Sequence, residues 1–265
     1  MVVQAFFANM IYGISDALVG TPYHLVVTPY TLSDPMAPIR YIVETNSADG
    51  VIISRTQADD PRVRYMTENN MPFATHGRTE MGIDHCYFDF DNEAFVQVAV
   101  KKLVKLGRSR LAMIGPPPNL NYFSHAQRGY EIGLAQQGLS GVTVSGVNSD
   151  SNVSDLRKAG LEMAMREDYP DGIVCSSSYA AVAIAKGMQD GGKVIGRDFD
   201  LVAKPYNDLI ALVAPEIIGL NEDFHHAGFE LARMLMARID GVEPVMLHQL
   251  DTVVAEPAER PTTEQ

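Results

Sequence analysis

Short apolar runs separated by longer amphipathic stretches, in two successive rounds of the same rhythm, constrain this chain more than any other feature. Residues 24–28 (HLVVT), 51–54 (VIIS) and 71–75 (MPFAT) read as strands. The spacing of Met36, Ile39, Ile42 and Val43 predicts a helix over 34–46. Pro61 in a first-turn position opens another over 60–70, and a third over 91–106 stops at Gly107. The strand 110–114 (RLAMI) is ended by Gly115 and three prolines. The alternation then restarts: helix 127–138, strand 142–147, helix 154–166 capped by Ser154, strand 173–175, helix 179–189, strand 199–203, a long helix 222–239 and a final strand 246–254. Asp171-Gly172 before its strand repeats the phrase Asp49-Gly50. Parallel neighbours need crossover connections, and those are right-handed. Two rounds of about 105 residues each therefore predict an α/β chain of two doubly wound parallel-sheet lobes. Ligands of such folds bind beyond the C-terminal ends of the strands.

Charge and motif narrow the function. With 33 acidic and 21 basic residues the net charge is −12, a sign that repels phosphate backbones. The best basic cluster, Lys101, Lys102, Lys105, Arg108 and Arg110, reads as a solvated face, so these residues alone are not expected to grip DNA. The 46% hydrophobic content suits a well-cored globular chain, with disorder expected only over a tail at 259–265. Cys86 and Cys175 form neither a Cys-x-x-Cys pair nor a metal spacing, which fits a reducing cytoplasm. The opening MVVQAFFANMIYGISDALVG lacks a positive leader region and carries Asp16, unlike a secretory signal. No run reaches the roughly 18–20 apolar residues that span a bilayer. Nucleotide, nucleophile-elbow and zinc-helix motifs are all missing. The prolines of 115–119 (GPPPN) lack the backbone donors of a phosphate loop. His225 and His226 would point about 100° apart on a helix, a poor metal pair. Asp89, Asp91 and Glu93 lack the glycine and distal glutamate of a calcium loop. No enzyme chemistry, cofactor or metal is expected.

Six phrases, in order along the chain, resemble the effector domains of LacI/GalR-type transcription regulators: FFANMIYGISDAL, ADGVIISRTQADDPRV, NNMPFATHGR, DFDNEAFVQVAVKKLVKLGRSRLAMIGPPP, QRGYEIGLAQQGL and NEDFHHAGFELARMLMARIDG. The resemblance implies a type I periplasmic-binding-protein-like fold whose two lobes close on a small effector, usually a sugar or nucleobase. It implies crossings near 107–109, 219–222 and 241–246, hence an N-terminal lobe of 1–107 with 222–241 and a C-terminal lobe of 108–221 with 242–258. It also implies a homodimer that meets operator DNA only through a helix-turn-helix head, which these residues do not include, and no membrane partner. The first strand of the family is reduced here to residues 1–4. A solute receptor of an ABC sugar uptake system shares the fold and stands as the alternative, with an α/β enzyme behind it.

The same resemblance nominates site residues. Phe6, Phe7 and Met10 would face the ligand from the first strand–helix junction, or else be ordinary core. Arg78 follows a strand end, and Asp91 opens a helix as cap, ligand acceptor or both. Tyr122, Phe123 and Arg128 are candidates for stacking and for anchoring an oxygen, although the usual arginine position holds Ala126. Ser177 and Ser178 replace an Asn-Asp pair, and Lys204 with Pro205 stands near a customary aspartate. Glu222 and Phe224 complete the wall. Losing acidic acceptors and gaining a lysine predicts an acidic effector, such as a sugar acid or sugar phosphate; a neutral sugar is expected if Lys204 turns outward.

Overall fold

A computed structural model describes residues 5–28, 34–142, 144–204 and 214–253. They fall into two compact units, each built on a four-stranded parallel sheet. The two parallel-sheet lobes expected from the alternation are present.

The first unit comprises Met1–Phe90, Asn119–Asn121 and Asp223–Asp251. Its sheet runs β1 (Val51–Ser54), β2 (Phe73–His76), β3 (Cys86–Phe90) and β8 (His248–Asp251), in that order. Its helices are α1 (Ala5–Leu18), α2 (Ala37–Thr45), α3 (Pro61–Glu68) and α8 (Phe224–Ile239). Helices α2 and α3 meet β1 and β2 in a core of Ile39, Val51, Ile53, Val63, Met66, Met71 and Phe73. Helix α8 lies on β1, β2 and β3, and α1 packs against α8. Glycines allow that last approach: a methyl group at Gly228 would run into the Met10 carbonyl, and one at Gly13 into the His225 carbonyl.

The second unit comprises Asp91–Pro118, Tyr122–Glu222 and Thr252–Gln265. Its sheet runs β4 (Leu111–Ile114), β5 (Gly172–Cys175), β6 (Asp200–Ala203) and β7 (Ile218–Gly219). Helices α4 (Asn92–Lys105), α5 (Asn121–Gln137, whose first residue belongs to the first unit), α6 (Val153–Ala164) and α7 (Ser178–Asp190) surround it. Every residue of β5 and β6 is buried, as central parallel strands require. An ion pair and backbone hydrogen bonds secure the N-terminal ends of these strands: Arg108 Nε lies 2.7 Å from Asp200, and Asp171 accepts from the Ser109 and Arg110 amides.

Four differences from the sequence reading have physical causes. The unit boundary falls between Phe90 and Asp91 rather than near 107, because α4 packs on β5 and β6. Periodicity marks an apolar face but not the sheet that buries it. Residues 248–251 join the first unit by pairing with β3, not the second. Residues 24–28 form no strand; Val26 is 81% exposed and finds no ladder among the described residues. Strand β3 was hidden by its carboxylate, since Asp89 is buried through pairing with Arg78. In the expected strand 142–147 only an isolated bridge from Val142 to Ala112 is present among the described residues. The cap of α6 is Asn152, not Ser154. The tail 259–265 lies outside the described residues.

Two predictions follow the packing of the first unit. Gly228→Ala forces a methyl group against helix backbone and should destabilise the protein by about 1–3 kcal/mol in denaturant unfolding; an unchanged midpoint would mean that α1 does not dock there. His85 is 4% exposed, stacked on Phe73 with ring centroids 5.9 Å apart and tilted against Tyr87 at 5.7 Å. Burial pushes its pKa below the ordinary histidine value and His248 adds to this, against the raising effect of the Ile83 carbonyl, Asp60 and Asp84. The unfolded chain therefore binds a proton that the folded one refuses, so this histidine should make stability fall as pH drops below about 6.5. In His85→Phe, which keeps the stack, that part of the acid sensitivity should vanish from urea midpoints measured at pH 7.5 and 5.5.

Candidate functional site

The rim of the first sheet is held by hydrogen bonds between three loops. Just past β1, Arg55 sits at φ +58°, in the left-handed region; for a non-glycine residue this costs about 1 kcal/mol. Two charged side chains fix it there. Arg62 donates from Nη2 to the Ser54 and Arg55 carbonyls at 3.2 and 3.1 Å, and to the Asp60 carboxylate at 2.7 Å. Asp60 is fully buried. Burial alone would raise its pKa, but the hydrogen bonds and charge of Arg62 and the Gln57 amide hold it below the usual carboxylate value. Past β2, Gly77 takes φ +101° in close contact with Thr56. Arg78 follows, with Nη1 2.9 Å from the buried Asp89 of β3. The Arg78 carbonyl accepts from Thr56 Oγ1 at 3.2 Å and from Asn121 Nδ2 at 2.9 Å. The Asn121 amide in turn donates to the Thr56 carbonyl at 2.9 Å.

The predicted residues of this unit divide. Arg78 stands at the rim, paired with Asp89. Phe224 is also there, buried, with its ring centroid 5.6 Å from that of His76. Phe7 is partly exposed on α1, whereas Met10 is buried with its backbone against α8, which fits a core residue. Phe6 lies in α1 with its side chain outside the described residues.

In the second unit, Lys204 emerges directly past β6. Its Nζ lies 2.5 Å from Asn92 Oδ1, 2.9 Å from Glu222 Oε2 and 5.1 Å from the centre of the Phe95 ring. The lysine and glutamate side chains are 6% and 7% exposed. Lys204 is therefore neither turned outward nor a spare positive charge. The expectation of an acidic effector loses its physical basis here, because Glu222 already neutralises the lysine.

The remaining second-unit candidates are engaged locally. Asp91 caps α4, accepting from the Ala94 amide at 2.8 Å. Buried Ser177 caps α7 through the Ala180 amide and donates to the Ser149 carbonyl; Ser178 is the first residue of that helix. Tyr122 and Phe123 stand half-buried in the first turn of α5. Arg128 pairs with Glu93 at 3.2 Å but is 55% exposed, so the pair contributes at most about 1 kcal/mol. The expectation that it anchors a ligand oxygen meets, among the described residues, only this exposed pair. Pro205 is outside the described residues. Sequence reasoning missed Asn92, Phe95, Arg55 and Asn121. For the first two a signal existed: a polar residue three positions before a phenylalanine, both on the buried face of α4.

A family model described as a periplasmic binding protein-like domain matches residues 100–263. The chain belongs to this family. Among curated proteins it is similar to the HTH-type transcriptional regulator AglR of Rhizobium meliloti (strain 1021), 26% identical over 88% of this chain and 67% of that protein. The HTH-type transcriptional regulator RafR of Escherichia coli is 26% identical over 78% of the chain and 61% of that protein. Of solved structures, a transcriptional regulator CelR–cellobiose complex matches with TM-score 0.82 at 23% identity, covering 95% of this chain and 77% of that one. The chain thus spans about two thirds of the length of these curated relatives. The likeness to LacI/GalR-type effector domains and the parallel two-lobed fold, both read from the sequence, are borne out.

The buried pair makes a mutational prediction. Lys204→Met strands the Glu222 carboxylate and should cost about 3–5 kcal/mol. Adding Glu222→Gln should recover most of that loss in denaturant unfolding; a double variant no more stable than the single one would refute the coupling.

Proposed function

We propose that this chain is the effector-sensing and dimerising core of a LacI-type transcriptional regulator, with a neutral sugar as its effector. The observation that carries the reading is the likeness to HTH-type regulators along 88% of the chain. The relatives are regulators, and this chain senses a small molecule rather than turning it over. DNA is met through a helix-turn-helix head outside these residues, since the described surface belongs to a chain with net charge −12. The regulator works as a homodimer in the cytoplasm. The effector shifts operator affinity by as much as its own affinity differs between two conformations.

The choice of a neutral sugar rests on the rims. Arg78 is matched by Asp89, and Lys204 by Glu222. Such groups offer placed donors and acceptors to hydroxyls without a net field that favours an anion. Cellobiose, named with the CelR structure, supplies a starting probe. Thermal denaturation should be followed with cellobiose, other neutral mono- and oligosaccharides, and the matching uronic acids and sugar phosphates. One neutral sugar should raise the melting temperature saturably, by the equivalent of about 2.7 kcal/mol at a hundredfold excess over its Kd. A response confined to the acids would overturn the neutral effector; no response to any sugar would overturn the sensing role.

A further inference from the structure

We propose that Arg55 is an effector-contacting residue whose guanidinium reads hydroxyl oxygens of the sugar at the rim of the first unit's sheet. The inference rests on the sensing role above. Arg55 lies one residue past the C-terminal end of β1, beside the strand whose end carries Arg78, and open parallel sheets bind ligands at these ends.

Its backbone is the decisive observation. Among the described residues, three non-glycines have positive φ: Asn46, Asn70 and Arg55. Asn46 caps the end of α2, and Asn70 follows the end of α3. Asparagine is a residue that tolerates this region, and both sites are ordinary helix exits. Arginine has no such preference, so folding alone favours Gly or Asn at position 55.

The strained turn is nevertheless held in one geometry. The buried Asp60–Arg62 pair clamps the carbonyls of both Ser54 and Arg55. A fixed backbone sets the direction in which the Cα–Cβ bond leaves the chain, so binding has to order the side-chain torsions but not the turn, and rigid binding sites gain affinity in this way. A guanidinium offers five donors in a planar fork and no acceptor. Adjacent hydroxyl oxygens of a pyranose present the matching acceptors.

Arg55→Gly separates the binding role from a folding one, because glycine accepts the turn without strain. The wild type, Arg55→Gly, Arg55→Asn and Arg55→Lys should be titrated calorimetrically with cellobiose, maltose, lactose, raffinose, melibiose, glucose and galactose, and melted without sugar. For whichever sugar the wild type binds, Gly and Asn should weaken binding at least tenfold and Lys by less. The sugar-free melting temperatures of both should stay within about 2 °C of the wild type or rise. Binding within twofold of wild type in Arg55→Gly overturns the proposal and leaves the sensing role standing. A melting temperature lowered beyond that range in both the Gly and Asn variants assigns Arg55 to the fold and also overturns it. A wild type that binds none of these sugars, nor any sugar, uronic acid or sugar phosphate of the wider panel, removes the sensing role, and this inference with it. Binding confined to the acids overturns this inference together with the neutral effector, and leaves the sensing role standing.

Discussion

A charge withdrawn from water loses several kcal/mol of hydration unless a counter-charge and hydrogen bonds replace it. The strand ends of this protein are built from charges so replaced: Asp60 with Arg62 past β1, Asp89 with Arg78 past β2, Glu222 with Lys204 past β6. Each pair also fixes something beyond itself. Arg62 clamps two carbonyls of the β1 turn. Arg78 lends its carbonyl to Thr56 and Asn121. Lys204 ties β6 to the first residue of α4 through Asn92. The pairs add little net stability against a well-packed apolar alternative, but removing one partner is severe, so the rims are specified rather than merely stabilised.

That distinction explains what the sequence reveals. Strand–helix alternation gave two parallel sheets because burial period and connection length are local properties. Most helices were placed within a few residues, with Asp60, Asp91 and Ser177 capping as their residue types favour. Assignment of elements to units is not local. Helix α4 has an apolar face that either sheet could cover, and only the packing shows that β5 and β6 cover it. Strand β3 carries Asp89 in its interior, which looks like a loop until Arg78 appears beside it. The apolar run at 24–28 shows the opposite error, where strand propensity without a neighbouring ladder among the described residues leaves Val26 and Val27 exposed.

The placement of the candidate residues was legible in a similar way. Arg78 and Lys204 stand past strand ends, Glu222 precedes α8 and Phe224 is its first residue. What the sequence could not display was their pairing. An isolated lysine suggests an anion; a lysine 2.9 Å from a buried glutamate does not. Met10, Asp91 and Ser177 illustrate the reverse, since packing or capping already accounts for each.

A rim of neutralised charges suits a sensor in a way that a spare charge would not. Net field binds any anion, and small anionic metabolites outnumber one effector by many species. Paired groups instead hold their donors and acceptors in fixed directions, and a ligand that fails to match them leaves buried polar atoms unsatisfied. Discrimination then comes from the penalty for a mismatch rather than from attraction. The same fixed directions require backbone that does not relax, and in the first unit that backbone includes a residue with φ +58°, held by a salt bridge with a fully buried carboxylate. Rigidity at the strand ends and the fixed directions of their paired donors and acceptors are therefore one physical property of this chain.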